Sequence, residues 1–541
     1  MNILKKIIEK RFKLYISLAF IFLILLAWVN RFIQDDTFIS FRYAENFVKG
    51  FGLVFNKGVR LEGYTNFLWT IIIALPIKFN LNPINFVYYS GIVFFIITLF
   101  FTYKLSFRIL ESKTLAFITL ILLGTNYTMS CYATGGLETQ MQTAIIASCY
   151  YLFFRFILET NREIKNLYYL SILSAVSILT RPDSIVFAVT IFSAIVFIGK
   201  KEKLSKVTIF KNILTLLIPF LIILIPYLVW KLNYYGNILP NTYYAKASSQ
   251  TSIISGLKYV GWFLTSYWLI IFPIILLVLL KEFLNEVNLK ISLLLITILV
   301  WTLYLIKIGG GFMEFRFFVP ILPSIFIVIV WIINKLIQPE KLKVVFLVII
   351  ITGSIFHAVT FHYNSGIEGI RVLESHLTNP NQNWIGVGKK LKTIFGGSDV
   401  EIAVTAAGAV PYYSELKTLD MLGLNDKYIA REQNIISNRP GHQKLASIDY
   451  LKRKGVNLLI GDPFVAGKSF KISEISNLLF KEHFMYDIND FKKISPRILI
   501  EELDNKHNLI MLYLNENNYI ENAISKKKLE SIPYSEIINN G

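Results

Sequence analysis

Charged residues, cysteines and histidines are scarce in this 541-residue chain. Asp, Glu, Lys and Arg make up 17% of it, whereas a soluble globular protein carries about 25%. Cys131 and Cys149 both lie inside apolar segments, so the sequence offers no disulfide framework. The six histidines all lie from His357 onward, and none has the spacing of a metal-binding motif. These scarcities argue against an ordinary cytosolic enzyme, a disordered hub and a soluble nucleic-acid-binding protein.

Hydrophobic residues make up 54% of the chain and gather in long runs. A helix that crosses a bilayer needs about 20 mostly apolar residues. The runs predict about 11 transmembrane helices, at residues 14–32, 84–104, 115–132, 141–158, 167–180, 184–198, 213–232, 260–280, 291–306, 318–333 and 344–361. A shorter run at 66–79 contains Pro76 and is predicted to be an interfacial or re-entrant helix of the first external loop. We therefore expect a polytopic α-helical membrane protein.

The net charge of +19 comes largely from Lys and Arg residues that lie between the apolar runs. Cytoplasmic loops carry an excess of these residues, so the basic N-terminus is expected to stay in the cytoplasm, followed by a retained signal anchor. Eleven spans then put the basic connections at 104–113, 200–211, 281–290 and 335–343 on the same side. The loops at 34–83, 134–139, 181–183, 233–255 and 309–317 face outward.

Residues 362–541 differ in character from the rest of the chain and contain no further apolar span. Short apolar segments predict strands at 401–408, 418–422 and 456–462, and amphipathic patterns predict helices near 384–394 and 448–454. We expect two domains, a membrane core at 1–361 and an extracytoplasmic α/β domain at 362–541. Binding of a glycan or acceptor is the favoured role of the second domain.

An acid pair, Asp35 and Asp36, directly follows the first apolar run. Acidic residues at the exit of a membrane helix are costly unless they are solvated or functional. One interpretation is helix capping, with an Asp as N-cap, a helix through Lys49, and Gly50 as its C-terminal stop. The other is catalysis by a carboxylate fixed at the membrane face. Capping needs only one Asp, so the two interpretations are compatible.

The other outward loops also concentrate polar groups beside apolar runs. Glu138 lies in a very short loop, Arg181 and Asp183 flank Pro182, the segment 233–247 is rich in Tyr and Asn and carries Lys246, and three glycines precede Glu314 and Arg316. Each loop alone has an ordinary explanation. An acid can interact with a helix dipole, Arg and Lys can extend to the membrane surface, and Tyr residues can form an interfacial aromatic belt. Together they place carboxylates, cations suited to a phosphate, and aromatics and amides suited to a sugar on one membrane face.

These loops, in this order, resemble the GT-C superfamily of polyprenyl-phosphate-sugar-dependent glycosyltransferases, above all the mycobacterial terminal β-(1→2)-arabinofuranosyltransferase group and its bacterial relatives. The matching segments are DDTFISFRYAENFVKGFGLVFN (35–56), EGYTNFLW (62–69), GLET (136–139), LTRPD (179–183), YYGNILPNTYYAKA (234–247), FRFFVPILP (315–323) and AAGAVPYYSELKTLDMLGLND (406–426). The resemblance implies a multi-span core, a catalytic acid in the first external loop and a lipid-phosphate donor. The Lys- and Ile-rich composition departs from the mycobacterial enzymes, so the donor sugar stays open.

Carried over residue by residue, the resemblance makes Asp35 the catalytic aspartate, acting as general base with Asp36 in support. It assigns the donor phosphate to Arg181, Lys246 and Arg316, and it matches the first-loop pattern at Arg42, Tyr43 and Glu62. We expect these last three to bind substrate, together with Glu138, Asn241 and Tyr244.

The expected reaction moves a sugar from a polyprenyl-phosphate monosaccharide to a cell-envelope glycan on the outer face of the bacterial inner membrane, with inversion. Because the lipid phosphate is itself the leaving group, no cofactor and no metal are predicted. A transporter or flippase of lipid-linked sugars is one alternative, although no inverted repeat is visible. A polymerase or ligase of lipid-linked glycans and a receptor domain on a passive anchor are others. Consumption of the donor separates a transferase from a flippase.

Overall fold

The computed structural model describes residues 2–246, 252–364, 366–437, 439 and 441–538, so residues 247–251 of the predicted loop at 233–255 lie outside the described part. The first two-thirds of the chain are helical. The helices are α1 Asn2–Val29, α2 Asp35–Val48, α3 Phe67–Lys78, α4 Pro83–Leu110, α5 Lys113–Thr125, α6 Tyr127–Cys131, α7 Thr139–Leu158, α8 Ile164–Thr180, α9 Ile185–Lys201, α10 Lys206–Tyr235, α11 Asn241–Lys246, α12 Ser252–Ser266, α13 Ile271–Val278, α14 Leu280–Glu286, α15 Leu289–Ile308, α16 Leu322–Leu336 and α17 Glu340–Thr360.

Eight helical segments of the described chain are long and apolar enough to cross a membrane: Arg11–Val29, Pro83–Leu110, Thr139–Leu158, Pro182–Lys201, Lys206–Tyr235, Leu289–Ile308, Arg316–Leu336 and Glu340–Thr360. The bent pair α12 and α13, which turns by 91°, makes up to nine. The two remaining predicted spans are the shorter helices α5 and α8. The run at 66–79 forms the 12-residue α3, as its length predicted. The protein is therefore a multi-pass membrane protein, and its described part holds eight or nine full-length spans where about eleven were predicted.

The loops of the bundle fall into two groups at opposite ends of the long helices. At one end, ion pairs join the predicted cytoplasmic connections 104–113 and 200–211 to the turn between α7 and α8: Arg108 pairs with Glu159 at 2.9 Å, and Arg162 pairs with Glu202 at 2.6 Å. At the other end, side chains from the loops predicted to be external come together around one cavity. The packing thus agrees with the predicted alternation of the loops between two faces of the bundle. Which of these faces lies in the cytoplasm stays a prediction.

The carboxyl-terminal part of the chain builds a mixed sheet flanked by short helices. Its strands are β1 Tyr363–Asn364, β2 Ile367–Glu368, β3 Glu401–Val404, β4 Lys417–Asp420, β5 Leu458–Gly467, β6 Arg497–Glu502, β7 His507–Tyr513 and β8 Glu530–Ile532. Its helices are α18 Ile370–Thr378, α19 Trp384–Phe395, α20 Ala409–Ser414, α21 Lys427–Glu432, α22 Ile448–Arg453, α23 Asn477–Phe484, α24 Asn518–Ser525 and α25 Ser535–Ile538.

The main sheet has the strand order β4-β3-β5-β7-β6-β8. β3 pairs in parallel with β4 and β5, and the later strands pair antiparallel. The three predicted strands are confirmed as β3, β4 and β5, and the two predicted helices as α19 and α22. The sequence did not predict the antiparallel half. Apolar residues of β3, β5 and β7 are fully buried and form the core of this sheet.

Candidate active site

A cavity of about 450 Å³ lies where the outward loops meet the carboxyl-terminal sheet domain. Four of the five predicted outward loops contribute to its wall, and two residues come from the sheet domain. The lining residues are Asp36, Thr65, Arg181, Pro182, Asp183, Leu239, Pro240, Thr242, Tyr243, Lys246, Tyr304, Lys307, Ile308, Gly310, Gly311, Phe312, Met313, Arg316, Phe317, Gly441 and Gln443. The lining therefore carries four cations, Arg181, Lys246, Lys307 and Arg316, and two acids, Asp36 and Asp183.

Asp36 is the carboxylate that the first external loop presents to this cavity. It lies in the first turn of α2, where an acidic side chain is favoured by the helix dipole. Burial raises the pKa of Asp36 above its ordinary 3.8, and the charges of Lys246 and Arg316 oppose that rise. A carboxylate with a raised pKa is better matched to taking up a proton near neutral pH.

Asp35 is not part of the cavity wall and is held by the sheet domain instead. Its two carboxylate oxygens accept hydrogen bonds from the backbone N–H groups of Gly408 at 2.9 Å and Ala409 at 2.7 Å. A Cβ at Gly408 would lie 2.0 Å from the backbone oxygen of Asp35, so only glycine allows this approach. Burial raises the pKa of Asp35 to about 7.

The predicted capping arrangement of α2 is wrong by one residue. The helix begins at Asp35 itself, with Gln34 at the N-cap position, and Gln34 makes no side-chain cap. Asp35 therefore does not cap its own helix and accepts hydrogen bonds from another one, at the start of α20. The predicted end is close to the observed one, since α2 stops at Val48 and Gly50 adopts a φ of +83°.

Glu138 forms ion pairs with two arginines of the cavity wall and does not itself line the cavity. One of its oxygens accepts hydrogen bonds from Arg181 Nη1 and from Arg316 Nη2, both at 2.6 Å, and the other accepts from Asn66 Nδ2 at 2.8 Å. Only 1% of Glu138 is exposed, and it is absent from the cavity wall. Burial alone would raise the pKa of Glu138, but Arg316 and Arg181 outweigh it and keep that pKa below its ordinary value.

The two arginines differ in their remaining partners. Arg181 also pairs with Asp183, whose carboxylate lies 2.7 Å from Arg181 Nη2. Arg316 donates from Nε to Thr139 Oγ1 at 2.9 Å, and Glu138 is its ion-pair partner in the described chain. Because the fixed carboxylates set the direction of both guanidinium groups, the cationic wall is pre-organised.

Lys246 closes α11 and is exposed to the cavity. Within the described part of the chain its amine forms no ion pair, in contrast to Arg181 and Arg316. Desolvation lowers the pKa of the Lys246 amine, and the charge of Asp36 opposes that shift. This amine is thus available to an anion that enters the cavity.

Lys307 and Tyr304 also line the cavity, and the sequence did not predict them as site residues. Both lie in the last turns of α15. Gly309, which directly follows the helix, adopts the left-handed conformation. Tyr304 falls inside the predicted apolar span, and Lys307 lies just beyond its predicted end. The available signal was a lone lysine beside an apolar segment, shortly before three glycines.

Arg42 and Tyr43 do not reach the cavity; both join α2 to the sheet domain. Arg42 donates to the carbonyl oxygens of Pro411 and Leu416, the second at 2.7 Å. The hydroxyl of Tyr43 lies 2.9 Å from Asn425 Oδ1, and Tyr43 is completely buried. Their contacts join α2 to the sheet domain, and substrate binding by either residue stays a prediction.

Glu62, Asn241 and Tyr244 are likewise absent from the cavity wall. Glu62 forms a buried ion pair with Lys231 of α10 at 2.8 Å, and burial raises its pKa to about 7. Asn241 donates from Nδ2 to the carbonyl oxygens of Gly423, Leu424 and Asp426. The guanidinium of Arg431 lies 4.2 Å from the ring centroid of Tyr244. Their contacts instead hold the first loop and α11 against α10 and the sheet domain.

Within the residues that the structure describes, no three His, Cys, Asp or Glu side chains come together as a metal site. A reaction that needs neither metal nor cofactor stays a prediction.

The fold is similar to that of ArnT and of an oligosaccharyltransferase, two solved structures that align with more than nine-tenths of this chain. ArnT from Cupriavidus metallidurans bound to undecaprenyl phosphate matches with a TM-score of 0.56 and 11% identity, over 93% of this chain and 99% of that one. The apo oligosaccharyltransferase of Archaeoglobus fulgidus matches with a TM-score of 0.52 and 9% identity, over 91% of this chain and 74% of that one. At these identities the likeness establishes the fold alone.

Among curated proteins, the terminal β-(1→2)-arabinofuranosyltransferase of Corynebacterium glutamicum is 25% identical over 341 residues. The match covers 55% of this chain and 47% of that protein, so the chain spans about half the length of the relative it matches. A family model described as a domain of unknown function, DUF8728, matches residues 378–495, within the sheet domain. The sequence resemblance to a terminal arabinofuranosyltransferase is thus found independently of the fold.

Proposed function

We propose that this protein is a membrane glycosyltransferase that moves a sugar from a polyprenyl-phosphate monosaccharide to a cell-envelope glycan. One observation carries the proposal: a single cavity is lined both by the carboxylate of Asp36 and by the cations Arg181, Lys246 and Arg316. A base for an attacking hydroxyl and a binding site for a departing phosphate are the two requirements of such a transfer. The arabinofuranosyltransferase relative and the fold of ArnT support the same class of reaction.

In the proposed reaction a hydroxyl oxygen of the acceptor attacks the anomeric carbon of the donor. The bond between that carbon and the phosphate oxygen breaks, and its electron pair leaves with the polyprenyl phosphate. Asp36 accepts the proton of the hydroxyl as the new glycosidic bond forms. A single displacement of this kind inverts the configuration at the anomeric carbon.

The geometry favours Asp36 over Asp35 as the general base. Both oxygens of Asp35 already accept short hydrogen bonds from the backbone of α20, so its geometry is that of a positioning residue. Burial raises the pKa of both aspartates, but of the two it is Asp36 that borders the cavity, where a substrate hydroxyl can reach it. Asp35 then acts by fixing the first turn of α2, which carries Asp36.

The cations stabilise the charge that develops on the departing phosphate. Arg181 and Arg316 are oriented by Glu138 before the substrate arrives, so little reorganisation is needed during the reaction. Lys246 provides a charge that no carboxylate of the described chain neutralises within ion-pair distance. The apolar residues Leu239 and Ile308, which also line the cavity, suit the first isoprene units of the lipid.

The donor sugar to test first is arabinofuranose, because the curated relative is named for it. The site of action that we propose is the outer face of the bacterial inner membrane, with the N-terminus in the cytoplasm. That orientation rests on the distribution of Lys and Arg among the loops.

The test uses membranes that contain the protein, labelled undecaprenyl-phosphate arabinose, and envelope glycan extracted from a deletion strain. We expect label to move into the glycan and free polyprenyl phosphate to appear. If the labelled lipid crosses the membrane without being consumed, the protein is a flippase and the proposal fails. Mass spectrometry of lipids and glycan from the deletion strain identifies the natural sugar if arabinose is not transferred.

A further inference from the structure

A second polar cluster lies in the sheet domain, directly behind one wall of the cavity. The wall segment at Phe312 pairs with β2: the Glu368 N–H donates to the carbonyl oxygen of Phe312 at 2.7 Å, and the Glu314 N–H donates to the carbonyl oxygen of Glu368 at 3.0 Å. Phe312 lines the cavity, so the backbone of Glu368 is hydrogen-bonded directly to a segment of the cavity wall. The negative charge of Glu368 also acts on Asp36.

The cluster extends from Glu368 into the domain. Nε2 of His376 lies 3.6 Å from a carboxylate oxygen of Glu368, and Arg439 donates a hydrogen bond to the other oxygen. The His376 ring stacks parallel on the indole of Trp384, with ring centroids 4.7 Å apart. Asp462 follows the bend of β5 at Gly461, and its charge acts on His376.

Two buried donors of this cluster have no hydrogen-bond partner in the described chain. They are the indole N–H of Trp384, a residue that is only 8% exposed, and the Nε–H of Arg439. The partly exposed carboxylate of Asp462 lies beside them and forms no ion pair with the described chain, and desolvation raises its pKa to about 6. More than about nine in ten buried polar groups in folded proteins are paired, so two unpaired donors in one cluster point to a ligand.

The type of ligand follows from the hydrogen-bonding character of these groups. The two unpaired groups are donors, the neighbouring carboxylate of Asp462 is an acceptor, and a hydroxyl group can both accept and donate. Neighbouring hydroxyls of a sugar would satisfy all three groups at once. An anion such as a phosphate would meet the carboxylates of Glu368 and Asp462, which disfavours it. A neutral polyol is therefore the better match.

We propose that Trp384, Arg439 and Asp462 form an acceptor subsite, which binds hydroxyl groups of the acceptor glycan as it approaches Asp36 from the domain side. The inference rests on the proposed transferase function and names where its second substrate binds. It also gives the sheet domain a direct part in substrate recognition.

The test measures transfer from labelled undecaprenyl-phosphate arabinose to envelope glycan extracted from a deletion strain, using full-length protein in nanodiscs. Trp384→Phe removes the indole N–H and keeps an aromatic ring, and Asp462→Asn removes the charge at nearly constant shape. In each variant we expect the KM for glycan to rise about 10-fold, while the KM for donor stays within about twofold. Glu530→Gln, an exposed carboxylate on β8 of the same domain, is the control.

Equilibrium binding of the same glycan, without donor, separates the subsite from the transfer reaction. If both variants bind glycan as tightly as the wild type, the subsite is wrong and water alone satisfies the three groups. If the wild type binds glycan, the variants bind it weakly and no sugar is transferred, the subsite stands and the transferase proposal fails. If one variant does not fold, the other still distinguishes these outcomes.

Discussion

Replacing the two aspartates of α2 separately tests which of them is the base. Asp36→Asn keeps the shape of a cavity-lining side chain but cannot accept a proton, so we expect turnover to fall by about 10²–10⁴. Asp35→Asn can accept only one of the two hydrogen bonds from Gly408 and Ala409, and it turns an amide N–H toward the other donor. A lost hydrogen bond with an unsatisfied buried group costs about 1–3 kcal/mol, so this variant should mainly lose thermal stability.

The pH dependence adds an independent measurement of the same assignment. The base must be ionised, so kcat/KM rises as the pH increases through the pKa of Asp36. Since burial raises that pKa, the acid limb of the profile should lie above the ordinary aspartate value of 3.8, and it should be missing from the residual activity of Asp36→Asn. Initial rates with labelled donor and melting curves of both variants give the data. Near-wild-type turnover of Asp36→Asn, or a loss of about 10²-fold in a fully stable Asp35→Asn, would refute the reasoning.

Two further predictions concern the cationic wall. Glu138→Gln leaves Arg181 and Arg316 without their shared carboxylate, which should cost about 3–5 kcal/mol of stability and raise the donor KM. The control is Glu159→Gln, which removes a partly exposed ion-pair carboxylate and should cost less than about 1 kcal/mol. Lys246→Ala, which breaks no ion pair of the described chain, should raise the donor KM about 10-fold without lowering the melting temperature, and Lys246→Arg should recover part of the loss. An unchanged donor KM in either experiment would contradict the assignment of this wall to the phosphate.

Charge in an apolar context is what made the cavity predictable from the sequence. Asp36, Arg181, Lys246 and Arg316 all lie in the connections between long apolar runs, where an ionised group is costly and therefore informative. Parity of the spans then placed those loops on one face, and the structure brings them to one cavity. Lys307 was not predicted as a site residue because it lies in the last turn of α15, a helix whose sequence resembles a continuous span.

The choice between Asp35 and Asp36 could not be made from the sequence. The two residues are neighbours, and what distinguishes them is a contact with Gly408 and Ala409, 373 and 374 positions away from Asp35. The same holds for Arg42, whose partner Pro411 lies 369 residues away. The antiparallel strands at 497–502 and 507–513 were not predicted, although HNLIMLY at 507–513 is as long as the predicted strand at 456–462 and carries a similar apolar run.

The first turn of α2 and its later residues perform different tasks on one rigid element. Asp36 faces the cavity, whereas Arg42 and Tyr43, about two turns further along, bind the sheet domain through Pro411, Leu416 and Asn425. The sheet domain therefore fixes the orientation of the helix that carries the proposed base, in addition to any contact it makes with acceptor.

This division of tasks predicts different kinetics for a joint residue and a subsite residue. Arg42→Met leaves the carbonyl oxygens of Pro411 and Leu416 without a buried donor, so we expect a loss of stability of at least about 2 kcal/mol. In the fraction that remains folded, α2 is held less firmly and kcat falls while the KM for glycan stays nearly constant. Asp462→Asn should do the opposite. If Arg42→Met raises the glycan KM at unchanged kcat, then Arg42 contacts acceptor, and the joint is not what aligns the base.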